Sequence, residues 1–171
     1  MKKISLLLLC LILGAGAYAQ DQSMTTFILV RHAEKADDGT KDPSLTEKGL
    51  QRAQDLKYTL SDMDIDLIYS SDYKRTMLTA KPIADSRNLT ISNYKPFQWA
   101  FIDELLEQQK GKTILISGHS NSTPHLVNYL IGKEAYSNLD YQEYNSLFIV
   151  SVIEKGNASV SKLKFGATNL E

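Results

Sequence analysis

Phe27-Ile28-Leu29-Val30-Arg31-His32-Ala33-Glu34 is the stretch from which the rest of the chain can be read. Four apolar residues in a row have the character of a short strand buried on both faces. The run stops abruptly at a guanidinium and an imidazole. In open α/β sheets the carboxyl edge of the strands is where ligands bind, and a packed core has no use for Arg beside His. The pair is a candidate site, set against the plainer reading of a strand end with solvated polar residues.

Two later segments repeat the arrangement. Asp66 to Tyr69 predicts a second strand, Ser70-Ser71-Asp72 a turn and cap, and the helix that follows carries Arg75 about one turn in. Pro82 lies inside that helical pattern and is expected to kink or end it near Ala80-Lys81. Thr113 to Ser117 predicts a third strand, ending in Gly118-His119-Ser120-Asn121. Thr123 as N-cap and Pro124 at the first helical position then open a helix whose buried face is Leu126, Val127, Leu130 and Ile131, closed by Gly132. Between these units lie a polar loop over 33–45 with Gly39 and Pro43, a helix capped by Thr46, a brief strand over Leu89 to Ser92, and a helix over Phe97 to Gln109. Leu147 to Ile153 and Val160 to Phe165 are late strands joined at Gly156-Asn157. The order predicts an α/β three-layer sandwich: a largely parallel central sheet, helices on both faces, and an antiparallel edge hairpin.

Length and charge narrow the function. At 171 residues the chain suits one domain, and its formal net charge of −1 gives no electrostatic case for nucleic acid. The first nineteen residues are a separate object. Lys2-Lys3, the apolar run Ile4 to Leu13 and the small residues of Ala17-Tyr18-Ala19 predict a signal peptide cleaved after Ala19 and an exported protein, periplasmic or secreted. The run is short for a membrane-spanning helix, so no stable membrane insertion is expected after cleavage. Leu7-Leu8-Leu9 before Cys10 does not suit lipidation. Removing nineteen residues, two of them lysines, leaves residues 20–171 as a single domain with its charge shifted from −1 to −3. It also removes the sole cysteine, and with it any disulfide or cysteine metal ligand.

Parallel strands put their carboxyl ends on one edge, so Arg31, His32, Arg75 and His119 can converge. Two guanidiniums and two imidazoles in one pocket make a polyanion site. Arginine's planar fork suits phosphate oxygens, and helix N-termini add oriented N–H groups. A phosphoryl group, with more oxygens than a carboxylate, occupies these donors best. A neutral imidazole among cations is also a potential nucleophile, its basicity lowered by its neighbours.

In these residues the sequence resembles the histidine phosphatase (phosphoglycerate mutase-like) superfamily. Arg31-His32-Ala33-Glu34 is similar to its Arg-His-Gly motif; the likeness continues through Ser44-Leu45-Thr46-Glu47-Lys48-Gly49, Ser70-Ser71 with Arg75 and Thr79-Ala80, and Gly118-His119-Ser120, in order. The resemblance implies a metal-independent phosphatase, with no cofactor, that hydrolyses phosphate monoesters through a phosphohistidine. His32 would be the nucleophile; Arg31, Arg75 and His119 would form the phosphate pocket. The substrate would be a small-molecule or polymer-attached phosphate ester. Asp38 stands where the family usually has a phosphate-contacting Asn, and Ser120 stands where one branch has Asp. The proton donor stays unassigned among Asp103, Glu104 and Glu107. Two rival readings use the same residues. Gly118-His119-Ser120-Asn121-Ser122 nearly matches a serine-hydrolase elbow but lacks its last Gly and a His well downstream. A zinc site on His32, His119 and His125 lacks a close helical pair. A phosphate- or phosphopeptide-binding module and a mutase remain as alternatives to the phosphatase; oligomeric state is not legible.

Overall fold

Along the first strand, β1 (Thr25–Arg31), successive side chains enter opposite faces of the sheet, and both faces are dry. Phe27 and Leu29 join one hydrophobic cluster, Ile28 and Val30 the other. The computed structural model describes residues 23–167; the expected signal peptide lies outside them. The chain continues through α1 (Glu47–Thr59), β2 (Leu67–Ser70), α2 (Lys74–Arg87), β3 (Ile91–Asn93), α3 (Trp99–Gln108), β4 (Thr113–Gly118), α4 (Ser122–Ile131), β5 (Ser146–Glu154) and β6 (Asn157–Lys164). Leu56 of α1 and Ala80 and Ile83 of α2 close one face; Ile102 and Leu105 of α3 and Leu126, Val127 and Leu130 of α4 close the other. This is the predicted three-layer sandwich.

The six strands run in the order β3-β2-β4-β1-β5-β6. The first four are parallel, while β5 is antiparallel to β1 and β6 to β5. The chain order reverses across β4 and β1, the sort of crevice where open sheets bind ligands. Arg31 is level with Gly118 on β4, and Ser70 of β2 is level with Ser117. The next residues along each strand are therefore His32, His119 and Ser71, side by side at one edge.

Two local expectations are corrected, and a third, that Pro82 kinks or ends its helix, keeps only the first of its two outcomes. Pro82 does not end its helix; α2 continues to Arg87. A proline inside a helix costs about 3 kcal/mol, but burial of Ile83 alone contributes about 1.5–3 kcal/mol, and Thr79, Ala80 and Ala84 are buried beside it. The cap of α4 is Asn121 rather than Thr123, with Asn121 Oδ1 accepting from the Ser122 N–H at 2.8 Å. Pro124 thus stands third in the helix, where an N–H would have no intrahelical partner anyway. Thr123 instead donates its hydroxyl to the Val30 carbonyl at 3.2 Å. Helix α3 starts at Trp99 because Phe97 holds a left-handed φ of 64°.

The Ser44–Gly49 motif braces the segment after β1. Thr46 caps α1 by accepting from the Gly49 N–H, and its own N–H donates to the Glu34 carbonyl at 2.9 Å. Arg52 of α1 pairs with Glu34 at 2.7 Å, their side chains only 2% and 12% exposed. From the other side Thr79 Oγ1 accepts from the Ala33 N–H at 2.9 Å. Gly49 packs so closely on the Glu34 backbone that an added Cβ would overlap the Glu34 carbonyl. Gly49→Ala is therefore expected to lower stability by about 1–3 kcal/mol, as overpacking does, read as a lower urea midpoint. An unchanged midpoint would show that α1 is free to move off the 33–34 segment.

Candidate active site

The four predicted residues come together: the two histidines stand at the edge of the sheet, with Arg31 at the end of β1 and Arg75 on α2 both within electrostatic reach of the two rings. The His32 and His119 rings lie 5.6 Å apart, nearly perpendicular. Nδ1 of His32 is 2.7 Å from the Ala33 carbonyl oxygen. A carbonyl only accepts, so Nδ1 carries the proton and Nε2 keeps the ring's lone pair. Burial is the largest cause holding His32 down to about 3; the Ala33 carbonyl opposes it, and Arg31, His119 and Arg75 add to it. His119 is held to about 4 by burial, then by Arg75 and Arg31. Both rings are neutral at physiological pH, and desolvation does more of this than the neighbouring cations do.

His119 is oriented from below. Its Nε2 is 2.8 Å from Ser71 Oγ, and Ser71 Oγ donates to Thr76 Oγ1 at 3.0 Å. Thr76 places its own proton on the Ser71 or Tyr73 carbonyl, each at 2.8 Å. Ser71 Oγ is then left to accept from the His119 Nε2–H. Gly118 is small of necessity: a Cβ there would crowd the Tyr94 hydroxyl at 2.9 Å and the Ser122 and Thr123 hydroxyls at 3.0 Å.

The two arginines differ. Arg31, 4% exposed, spends Nη1 on the carbonyls of Asp140, Tyr141 and Glu143 at 2.8, 2.9 and 3.1 Å, and its guanidinium lies 4.0 Å from the Tyr144 ring centroid. One side of it therefore pins the loop before β5. Arg75 lies 4.2 Å over the Tyr73 ring, and its Nη1 is 3.7 Å from Asp42. Nε of each arginine is buried without a hydrogen-bond partner.

Other candidates lie elsewhere. His125 is on the exposed face of α4 against Phe97. Asp103 accepts from Tyr129, and Glu104 from Gln108. Asp38 is exposed and shapes a turn through Thr40. Of the aromatic side chains, Tyr144 faces His32 at 6.0 Å, whereas Tyr136 packs on Phe148 and Trp99 stacks on Tyr129. Sequence reasoning missed Asp42 and Tyr73. Asp42 accepts the Lys74 N–H at 2.9 Å beside Arg75, and the Tyr73 ring meets His119 edge-on at 5.2 Å. Tyr73 sits two residues before Arg75 and could have been suspected; nothing in the loop composition marked Asp42. Among the described residues, no group of three or more His, Cys, Asp or Glu is arranged to hold a metal ion.

The neutral imidazoles have a consequence for acid stability. The unfolded chain takes up protons on both histidines below about pH 6.5, whereas the folded chain resists until about 3 and 4. Their contribution to stability therefore falls as pH is lowered through that window. Nuclear magnetic resonance should find both rings neutral at pH 5, and His32→Asn should lose less stability than the parent between pH 6.5 and 4. An imidazolium signal from His32 at pH 5 would contradict this.

Residues 27–97 match the model of the histidine phosphatase superfamily (branch 1). Phosphoserine phosphatase 1 of Hydrogenobacter thermophilus is 45% identical over 74 residues, a match over 40% of this chain and 35% of that protein. The chain thus spans about a third of the curated relative it matches. In structure, the alpha-ribazole phosphatase of Shigella flexneri aligns with a TM-score of 0.68 at 19% identity, over 81% of this chain and 96% of the other. The protein histidine phosphatase SixA in complex with tungstate aligns at 0.65 and 17% identity, over 81% and 96%. These two likenesses speak for the fold. Residues 27–97 thus carry the sequence pattern of the histidine phosphatase superfamily (branch 1), and the chain as a whole shares the fold of these phosphatases.

Proposed function

We propose that this protein is a phosphatase that hydrolyses phosphate monoesters, with His32 accepting the phosphoryl group. The observation that carries the reading is the Nδ1–H bond of His32 to the Ala33 carbonyl. It leaves Nε2 as a fixed, unprotonated nucleophile beside two guanidiniums and a second imidazole. Arg31 and Arg75 bind the equatorial oxygens and stabilise the charge that builds there in transfer, and His119, whose Nε2–H is held by Ser71, joins them through Nδ1 once the bound dianion has drawn a proton onto it. Water then takes the phosphoryl group from His32. The chemistry needs no metal ion or cofactor, since cationic side chains supply the charge. Proteins similar to this chain carry the names phosphoserine phosphatase, SixA phosphohistidine phosphatase and alpha-ribazole phosphatase, and phosphoester or phosphoamidate hydrolysis is their common ground.

Asp103 and Glu104 are engaged with Tyr129 and Gln108, and Glu107 is exposed on the same helix, so no carboxylate is held at His32 as a proton donor and a leaving group of low pKa is favoured. The loops over 33–45 and 132–145 are the segments long enough to cover the pocket, and both are tied down, the first through the Lys35–Leu45 bridge and Asp42, the second through Arg31. That supports release to water over the closed, water-free pocket a mutase needs. The substrate is a small-molecule or polymer-attached phosphate ester. The Lys2-Lys3 start, the apolar run and Ala17-Tyr18-Ala19 support export with cleavage after Ala19; no helix among the described residues is long and apolar enough to cross a membrane.

In oxygen-18 water with EDTA present, phenyl phosphate should yield singly labelled inorganic phosphate, and 3-phosphoglycerate should yield phosphate without the 2-isomer. His32→Ala should lose at least about a thousandfold in kcat, as loss of a nucleophile does, and the parent should give acid-labile phosphohistidine on rapid quench. Activity lost in EDTA and restored by zinc, or isomer formed faster than phosphate, would overturn the reading. Terminal sequencing of the protein exported by its native host should begin at Gln20; an intact Met1 in a membrane fraction would refute cleavage.

A further inference from the structure

We propose that Tyr73 is a specificity-determining residue that steers the site toward phosphate esters whose organic part carries an aromatic ring, and away from those bearing a carboxylate. The inference rests on the phosphatase reading of the His32 pocket. Tyr73 precedes α2, and its ring meets His119 edge-on at 5.2 Å. The Arg75 guanidinium covers part of it at 4.2 Å, yet the residue is 40% exposed. A large ring held by a phosphate-binding arginine, with much of its surface in water, fills no core. It lies where the organic part of an ester must emerge once its phosphoryl group sits between His32 and Arg75. Across the pocket, Tyr141 is 68% exposed on the loop that Arg31 pins, with its hydroxyl within electrostatic reach of Arg31. Two exposed rings flank one anion site, and flat apolar groups gain most from such walls.

The charges around the pocket point the same way. Arg31 and Arg75 are taken by the phosphoryl group. Lys162 and Lys164 are bound to Glu143. The Lys74 side chain lines a separate cleft with Met77, Leu78 and Lys81. The acidic groups, by contrast, stand close: Asp42 against Arg75, and Asp72 next to Tyr73 with Asn93 donating to it. A carboxylate on the substrate would face Asp42 and Asp72, with both pocket arginines already taken by the phosphoryl group.

Benzyl and ethyl phosphate share a primary-alcohol leaving group and differ by the ring, so their ratio of kcat/KM isolates the aromatic contact from leaving-group acidity. In the parent protein the ratio should favour benzyl phosphate by about threefold to tenfold, the range of one aromatic contact. Tyr73→Ala should bring it close to one, Tyr73→Phe should preserve it, and phosphoserine should be slower than ethyl phosphate. Equal rates for benzyl and ethyl phosphate in the parent, a ratio unmoved in Tyr73→Ala, or a preference for phosphoserine would overturn the proposal. If no ester is hydrolysed, the phosphatase reading falls, and calorimetric binding of benzylphosphonate and ethylphosphonate still decides the contact. Tighter benzylphosphonate binding that Tyr73→Ala abolishes supports it; equal affinities overturn it.

Discussion

Everything at the active edge depends on the register between β1 and β4. Arg31 lies opposite Gly118, and the His32 N–H donates to the Gly118 carbonyl at 2.9 Å. One step further along each strand the two histidines stand together. A slip of one residue would not merely separate them. Side chains alternate between faces, so it would turn Phe27 and Leu29 toward the helices that pack on Ile28 and Val30. The dry core on both sides of β1 is what fixes the chemistry at its end, and the backbone does the placing before any side chain of the pocket is considered.

The same burial sets the electrostatics. The pocket gathers guanidiniums around imidazoles, an arrangement that is stable only if the imidazoles stay neutral. Withdrawal from water ensures this more than repulsion does. Hydrogen bonds then decide which nitrogen of each ring is free: the Ala33 carbonyl for His32, and the Ser71–Thr76 hydroxyl pair for His119.

Much of this was legible in the sequence. The apolar runs over 27–30 and 113–117 announced buried parallel strands, and the polar residues that ended them marked the edge. What escaped was set by tertiary contacts that leave no local trace. Pro82 reads as a helix breaker because propensity counts one residue, whereas the buried face of α2 counts several. Thr123 reads as a cap because its preferred partner, the Val30 carbonyl, is distant in sequence. Asp42 reads as one more polar loop residue until Gly39, at a φ of 73°, turns the loop back onto α2. The Ser44–Gly49 motif was read as part of a resemblance, and its physical task is bracing: it holds Glu34, and with it the backbone that follows His32.

Arg31 has a further consequence, one of timing. Its Nη1 holds carbonyls of residues 140, 141 and 143, and its strand is flanked by β4 and β5. β1 is thus paired on neither edge until β4 and β5, some ninety and more residues further along, have formed. Until then it is an unpaired apolar strand of the kind that invites aggregation, and closing so distant a contact is slow. A fragment that stops short of residue 143 lacks carbonyls that Arg31 holds, so the pocket cannot take this form in it.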